Sequence, residues 1–124
     1  MTSRPRVAVL DYGIGNLRSA QKALERVGAD AVLTADARVA ASADAVVLPG
    51  VGAFGACMNA LRTAGLESVV HDSVARGVPF MGICVGMQII PVQVSLFFPY
   101  AQNCFQTHFA GRRYFLGHYF ICLP

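Results

Sequence analysis

The sequence has no tryptophan, a single lysine (Lys22) and no acidic residue after Asp72. Its four cysteines, at 57, 84, 104 and 122, form no C-x-x-C pair. That removes the usual zinc signature, and no metal or other cofactor is expected. The basic residues are scattered, from Arg4 and Arg6 to Arg112 and Arg113, and the formal charge is only +3. Without a basic stripe, nucleic-acid binding has little support. No apolar run approaches the length of a bilayer span, and the opening Met-Thr-Ser-Arg-Pro-Arg is not a secretory leader. A reduced, cytoplasmic setting is the expectation.

What is present is a large apolar fraction. Hydrophobic residues make up 55% of the 124-residue chain and charged residues 14%, enough for a core in one domain. The composition is uneven. Residues 1–90 hold every acid and most of the alanines, whereas residues 91–124 hold no acid, no lysine and most of the phenylalanines and tyrosines. The two parts are therefore read separately: 1–90 as the folded part, and 91–124 as an atypical tail. The tail has two readings. One is a frameshift, misassembly or insertion; the other is a genuine alternative ending that covers the sheet edge.

Residues 1–90 alternate between strand and helix signals. Arg6–Asp11 is a short apolar run ending in a turn, so a buried strand. Leu17–Val27 carries apolar residues at Leu17, Ala20, Ala23, Leu24 and Val27, a helical period closed by Gly28. Ala31–Thr34 and Ala45–Leu48 read as strands, with a short helix at Ala37–Ala41 between them. Phe54–Ala64 and Leu66–Ala75 read as helices divided at Gly65. Val78–Ile83 is a fourth strand, and Val85–Ile90 begins another helix, which Pro91 should stop. This order implies an α/β fold: a partial doubly wound parallel sheet, flavodoxin-like, with helices on both faces. Functional groups in such sheets gather at the carboxyl ends of the strands. Those ends are 11–16, 49–55 and Cys84.

Gly82-Ile83-Cys84-Val85-Gly86 has the form of a nucleophile elbow, G-x-C-x-G, between a strand and a helix. The turn lifts the central side chain off the sheet and crowds the residues two before and two after, so both must be small. The positive end of the following helix favours a thiolate. The competing reading is a buried core cysteine flanked by turn glycines. Pro49-Gly50-Val51-Gly52-Ala53-Phe54-Gly55 is a glycine-rich loop whose amides could face an oxyanion, or it is a plain strand-to-helix turn. Asp11-Tyr12-Gly13-Ile14-Gly15-Asn16 is a weak dinucleotide fingerprint and reads better as a tight turn with Asn16 near the N-cap. Gln88, four residues after Cys84, lies one helical turn along; it faces either a substrate or solvent.

Taken together, Asp-Tyr-Gly-Ile-Gly-Asn-Leu-Arg-Ser at 11–19, Pro-Gly-Val-Gly-Ala-Phe-Gly at 49–55 and Gly-Ile-Cys-Val-Gly-Met-Gln at 82–88 resemble class I glutamine amidotransferases. Within that family they are most similar to the glutaminase subunits of imidazole glycerol phosphate synthases. The resemblance covers about residues 6–90. It implies that Cys84 attacks the side-chain amide of glutamine, releasing ammonia and leaving a glutamyl thioester. It further implies that Val51 and its neighbours supply an oxyanion donor after a peptide flip, and that Gly50, Gly52 and Gln88 help to hold glutamine. The implied partner is a (β/α)8-barrel cyclase subunit in a heterodimer, with Asn16 near the docking face. That partner uses the ammonia to make imidazole glycerol phosphate and AICAR in histidine biosynthesis.

The family's cysteine works with a histidine oriented by a glutamate two residues later. Here His71, His108 and His118 are followed two positions on by Ser73, Ala110 and Phe120, so no such pair exists. The expectation is a poor glutaminase with a truncated sheet whose apolar edge is unpaired. The alternatives are a non-catalytic fragment that docks to the cyclase subunit, and another Cys-elbow α/β protein of hydrolase type.

Overall fold

The structure, a computed structural model, describes residues 3–89 and the backbone of two later strands. The expectations for Pro91, Cys104, His108 and His118 lie outside the described residues. Four parallel strands form the centre: β1 (Arg6–Leu10), β2 (Asp30–Thr34), β3 (Ala45–Gly50) and β4 (Phe80–Cys84). Between them run α1 (Leu17–Arg26), α2 (Ala37–Ala41), α3 (Phe54–Thr63) and α4 (Glu67–Ala75), and residues 85–89 form the start of α5. Every strand and helix expected in 1–90 is found, with ends displaced by one or two residues.

Period-two alternation explains why helices lie on both faces. From β1, Ala8 and Leu10 enter one core with Val46, Leu48 and Phe80, covered by α2, α3, α4 and α5. Val7 and Val9 enter the other with Val47, covered by Leu17, Ala20 and Leu24 of α1. The first core is the larger and includes Leu61, Leu66, Val70 and Ile89, all fully buried. α1 packs more shallowly than its sequence period suggests. Ala23 faces solvent, and Val27 is 81% exposed because the helix ends at Arg26 and Val27 is its C-cap.

Two features depart from expectation. First, β3 runs through Pro49-Gly50, which had read as turn. Its ladder with β1 stops at Val47, while its pairing with β4 continues to Pro49↔Ile83 and Gly50↔Cys84. Pro49 turns its carbonyl toward Tyr12, on the side where the β1 ladder has ended. No ladder bond there requires the missing N–H, so proline is tolerated. Second, β4 is not an unpaired edge. β5 (Arg113–Leu116) and β6 (Tyr119–Cys122) form an antiparallel hairpin, and β6 pairs antiparallel with β4 from Phe80↔Cys122 to Ile83↔Tyr119. The sheet order is β2-β1-β3-β4-β6-β5. The aromatic-rich tail, read from sequence only as atypical, supplies that hairpin through segments such as Tyr114-Phe115-Leu116.

Candidate functional site

The carboxyl ends of β1, β3 and β4 converge as the topology requires. Cys84 closes β4 and is a non-glycine residue with positive φ, 55°. A left-handed conformation costs an L-residue roughly 1–2 kcal/mol, so the surrounding structure must enforce it. The neighbouring glycines show how. A Cβ on Gly82 would lie 2.6 Å from Met87 Cα and 2.7 Å from Met87 N. A Cβ on Gly86 would collide with the carbonyl oxygen of Leu48. One on Gly50 would lie 2.6 Å from Gly86 N and 3.1 Å from Tyr12 Oη. The first turn of α5 is thus pressed onto β3 and β4 with no room for a side chain at any of these places. The result is an exposed thiol on a strained turn. The core-cysteine reading of Cys84 does not hold; among the described residues the buried cysteine is Cys57 on α3.

The glycine-rich loop leaves β3 beside this turn. Gly50 is buried against the elbow, whereas Val51, Gly52 and Ala53 are exposed, Val51 by 51%. Gly52 has φ +83°, and space around it is open. The loop is held from behind. Tyr12, buried at the end of β1, donates its hydroxyl to the Pro49 carbonyl. Cys57 donates its thiol to the Val51 carbonyl at 3.3 Å. Burial pushes the Tyr12 phenol well above its ordinary range, and the adjacent Cys57 adds to the effect. Gly15, with φ +114°, lies so close that a Cβ there would be 2.9 Å from Pro49 Cβ, which ties the first loop to the second.

The structure therefore brings Gly50 and Cys84 into one register pair, with Val51 and Gly52 following directly on the loop. Gln88 is exposed on α5, on the helix that begins at the elbow. Asn16 is exposed and caps α1, accepting from Ser19 N at 3.4 Å, as its position before an apolar period suggested. His71 lies within α4. Two residues with a structural hold on the site, Tyr12 and Cys57, had no role assigned from sequence. Tyr12 sits inside a quoted motif, but nothing local reveals that its hydroxyl reaches residue 49, and Cys57 looks like any apolar position of a helix.

A family model described as glutamine amidotransferase class-I matches residues 8–96. The imidazole glycerol phosphate synthase subunit HisH of Mycolicibacterium paratuberculosis is 60% identical over 90 residues, 73% of this chain and 43% of that protein. The protein of the same name from Thermobifida fusca is 55% identical over 87 residues, 70% of this chain and 41% of its own. The chain thus spans less than half the length of these curated relatives. Among solved structures, a glutamine amidotransferase superposes with a TM-score of 0.56 at 28% identity, over 65% of this chain and 42% of that one. A protein described as a GMP synthase component from Thermoplasma acidophilum superposes at 0.59 and 20% identity, over 76% and 47%, which bears on the fold alone. The match over residues 8–96, on a doubly wound sheet with a cysteine elbow at the end of β4, means that the chain belongs to the class I glutamine amidotransferase family.

Proposed function

We propose that Cys84 is the nucleophile of a glutaminase reaction that supplies ammonia to a cyclase subunit in histidine biosynthesis. One observation carries this reading: an exposed cysteine at φ 55°, clamped between Gly82 and Gly86 where no Cβ fits, above the glycine loop of β3. A strained, exposed nucleophile beside loop amides suits attack on an amide and stabilisation of the resulting oxyanion. The Cys84 sulfur attacks the side-chain carbonyl carbon of glutamine, and the oxyanion of the tetrahedral adduct accepts a hydrogen bond from the Val51 N–H after the Gly50–Val51 peptide turns over. The C–N bond then breaks, the nitrogen leaves as ammonia on gaining a proton, and a glutamyl thioester remains. Water hydrolyses the thioester to glutamate and regenerates the thiol. Gly50, Gly52 and Gln88 hold the substrate.

The partner in this reading is a (β/α)8-barrel subunit in the cytoplasm, approached along the edge where Asn16 and the two glycine loops lie. It consumes the ammonia to form imidazole glycerol phosphate and AICAR. Residues 1–90 carry this half of the chemistry. No His-x-Glu pair occurs in the 124 residues, so proton transfer to the leaving nitrogen lacks its usual agent. The chain on its own is then a slow glutaminase.

The test is labelling with the chloroketone analogue of glutamine, read by peptide mass mapping. Modification of Cys84 that glutamine blocks and asparagine does not is the expected result. Labelling that glutamine fails to slow would sink the assignment. In a parallel assay, glutamate release by the purified chain should be slow; turnover of several per second would overturn the claim of poor activity.

A further inference from the structure

β2 ends the strand order on the side of the sheet away from β4. Its backbone groups alternate in direction. The Asp30 N–H donates to the Pro5 carbonyl, and the Thr34 carbonyl accepts from the Asp11 N–H. Asp30, Val32 and Thr34 therefore turn their N–H and C=O groups toward β1. By the same alternation Ala31 and Leu33 turn theirs outward, to where a further strand would lie. Natural sheets blunt such edges with charge, proline or a covering element. Ala31-Val32-Leu33 carries neither charge nor proline. The cover comes from α1, where the Gln21 amide donates Nε2 to the Ala31 carbonyl at 3.0 Å in a partly buried bond.

A second contact sets the direction of that amide. Arg18, three residues earlier on α1, donates Nη1 to Gln21 Oε1 at 3.4 Å. A guanidinium has only donors, so the amide oxygen faces Arg18 and the NH2 faces Ala31. The strand that fits this edge best is β2 itself, from a second copy. Two copies of β2 placed antiparallel about Val32 set Ala31 opposite the other copy's Leu33 and Asp30 opposite its Thr34. That register uses the outward groups of both residues in hydrogen-bonded pairs, stacks Val32 on Val32, and brings no carboxylate against a carboxylate. It is also self-complementary, as a twofold interface must be. In it, each Leu33 N–H has to donate to the other copy's Ala31 carbonyl. Gln21 already holds that acceptor, once in each copy.

We infer that the β2 edge is a self-docking surface for a second copy of this chain, kept closed by the Gln21 amide on the Ala31 carbonyl. The contact is autoinhibitory: the helix that covers one face of the sheet also takes the acceptor that strand addition needs. The inference does not depend on the glutaminase reading, since β2 and α1 contribute nothing to the Cys84 elbow.

The experiment compares the full chain with Gln21→Ala and Gln21→Asn. Alanine is the better helix former, and the α1 residues packed on the sheet, Leu17, Ala20 and Leu24, are untouched, so the fold is kept. An unchanged rate of Cys84 alkylation by iodoacetamide checks this. Association is read by sedimentation velocity across a concentration series, and its site by hydrogen exchange of the Ala31 and Leu33 amides. Each dimer of Gln21→Ala forms without displacing two side-chain bonds, so it should be about thirtyfold tighter than that of the parent. Its Ala31 and Leu33 amides should gain protection as concentration rises, and those of the parent should not. Gln21→Asn keeps the polar surface but is one methylene too short to reach the carbonyl, and it should associate as Gln21→Ala does. Equal association of the parent and Gln21→Ala overturns the inference. So does a Gln21→Ala dimer whose Leu33 amide exchanges as fast as in the monomer, because another surface then makes the contact. A Gln21→Asn protein that behaves as the parent also overturns it, since polarity of the surface and not the bond to Ala31 would then keep the edge closed.

Discussion

The two glycine-rich segments that meet at the site look alike in sequence and are built on opposite physics. In the elbow, Gly82 and Gly86 are required because other backbone occupies the place of a side chain. In the segment after β3, Gly52 on the loop and Gly55 at the start of α3 have nothing within 4 Å of where a Cβ would stand. Gly50, at the boundary, belongs with the elbow, since its Cβ would meet Gly86 N at 2.6 Å. The comparison separates a rigid wall that holds the nucleophile from an open rim that can move around a ligand. Packing fixes the first at every moment; only local backbone preference and the Tyr12 and Cys57 bonds fix the second.

Substitution at Gly86 tests the wall most severely. The added methyl meets the Leu48 carbonyl, part of the central sheet, and neither strand nor helix can yield without loss of core packing around Leu48 and Ile89. Gly86→Ala should cost about 3 kcal/mol or more, the upper end for overpacking. Gly82→Ala, whose methyl meets Met87 backbone atoms at 2.6 and 2.7 Å, should come close behind. Urea denaturation of the purified chain measures both. A Gly86→Ala protein with parental stability would mean that α5 is not seated on β3 as described.

Much of this was legible in the sequence because it depends on local pattern. The alternation Val7, Val9 against Ala8, Leu10 fixes which residues face which helix layer, and Gly65 divides α3 from α4 where the period breaks. The elbow glycines were readable for the same reason: G-x-C-x-G states a steric requirement within five residues. What remained hidden depends on long separations. Nothing near Cys57 announces a bond to Val51, and nothing near Tyr12 announces one to Pro49, thirty-seven positions away. The hairpin β5–β6 was hidden because its segment lacks alternation, and its pairing with β4 follows from an open edge, a property of the sheet and not of those residues.

The open rim should respond to Gly52 in a different manner. Its φ of +83° penalises any Cβ, but no atom stands in the way. Gly52→Ala should therefore cost about 1 kcal/mol, the left-handed penalty alone. Gly52→Asn should cost less, because asparagine tolerates that region better. At Gly86 the same pair of variants should be equally damaging. A thermal melt of the four variants would show the contrast; asparagine and alanine falling together at Gly52 would point to a steric constraint there.

Cys84 reverses the sign. Its positive φ is imposed on an L-residue, and Cys84→Gly relieves that strain without opening a cavity, because the thiol is exposed. The variant should gain up to about 1 kcal/mol, since the strain released exceeds glycine's greater loss of chain entropy only modestly. It should also lose all labelling by the glutamine chloroketone. A stability loss in Cys84→Gly would mean that the thiol contributes packing or a hydrogen bond that outweighs its strain.

Gly55 gives the smallest effect and the sharpest limit on the comparison. It is the second residue of α3, exposed, with open space about its α-carbon and no positive φ. Neither steric exclusion nor left-handed backbone requires glycine there. By helix propensity alone, Gly55→Ala should stabilise the chain by about 0.5–1 kcal/mol, less near a helix end than in the interior. The gain should appear as a higher urea midpoint with an unchanged slope, and Cys84 should keep its parental rate with iodoacetamide. If stability rises and the chloroketone rate falls, the methyl intrudes on the ligand and not on the fold. Gly55 would then join the rim as a residue kept small for the substrate, a requirement that folding by itself does not impose.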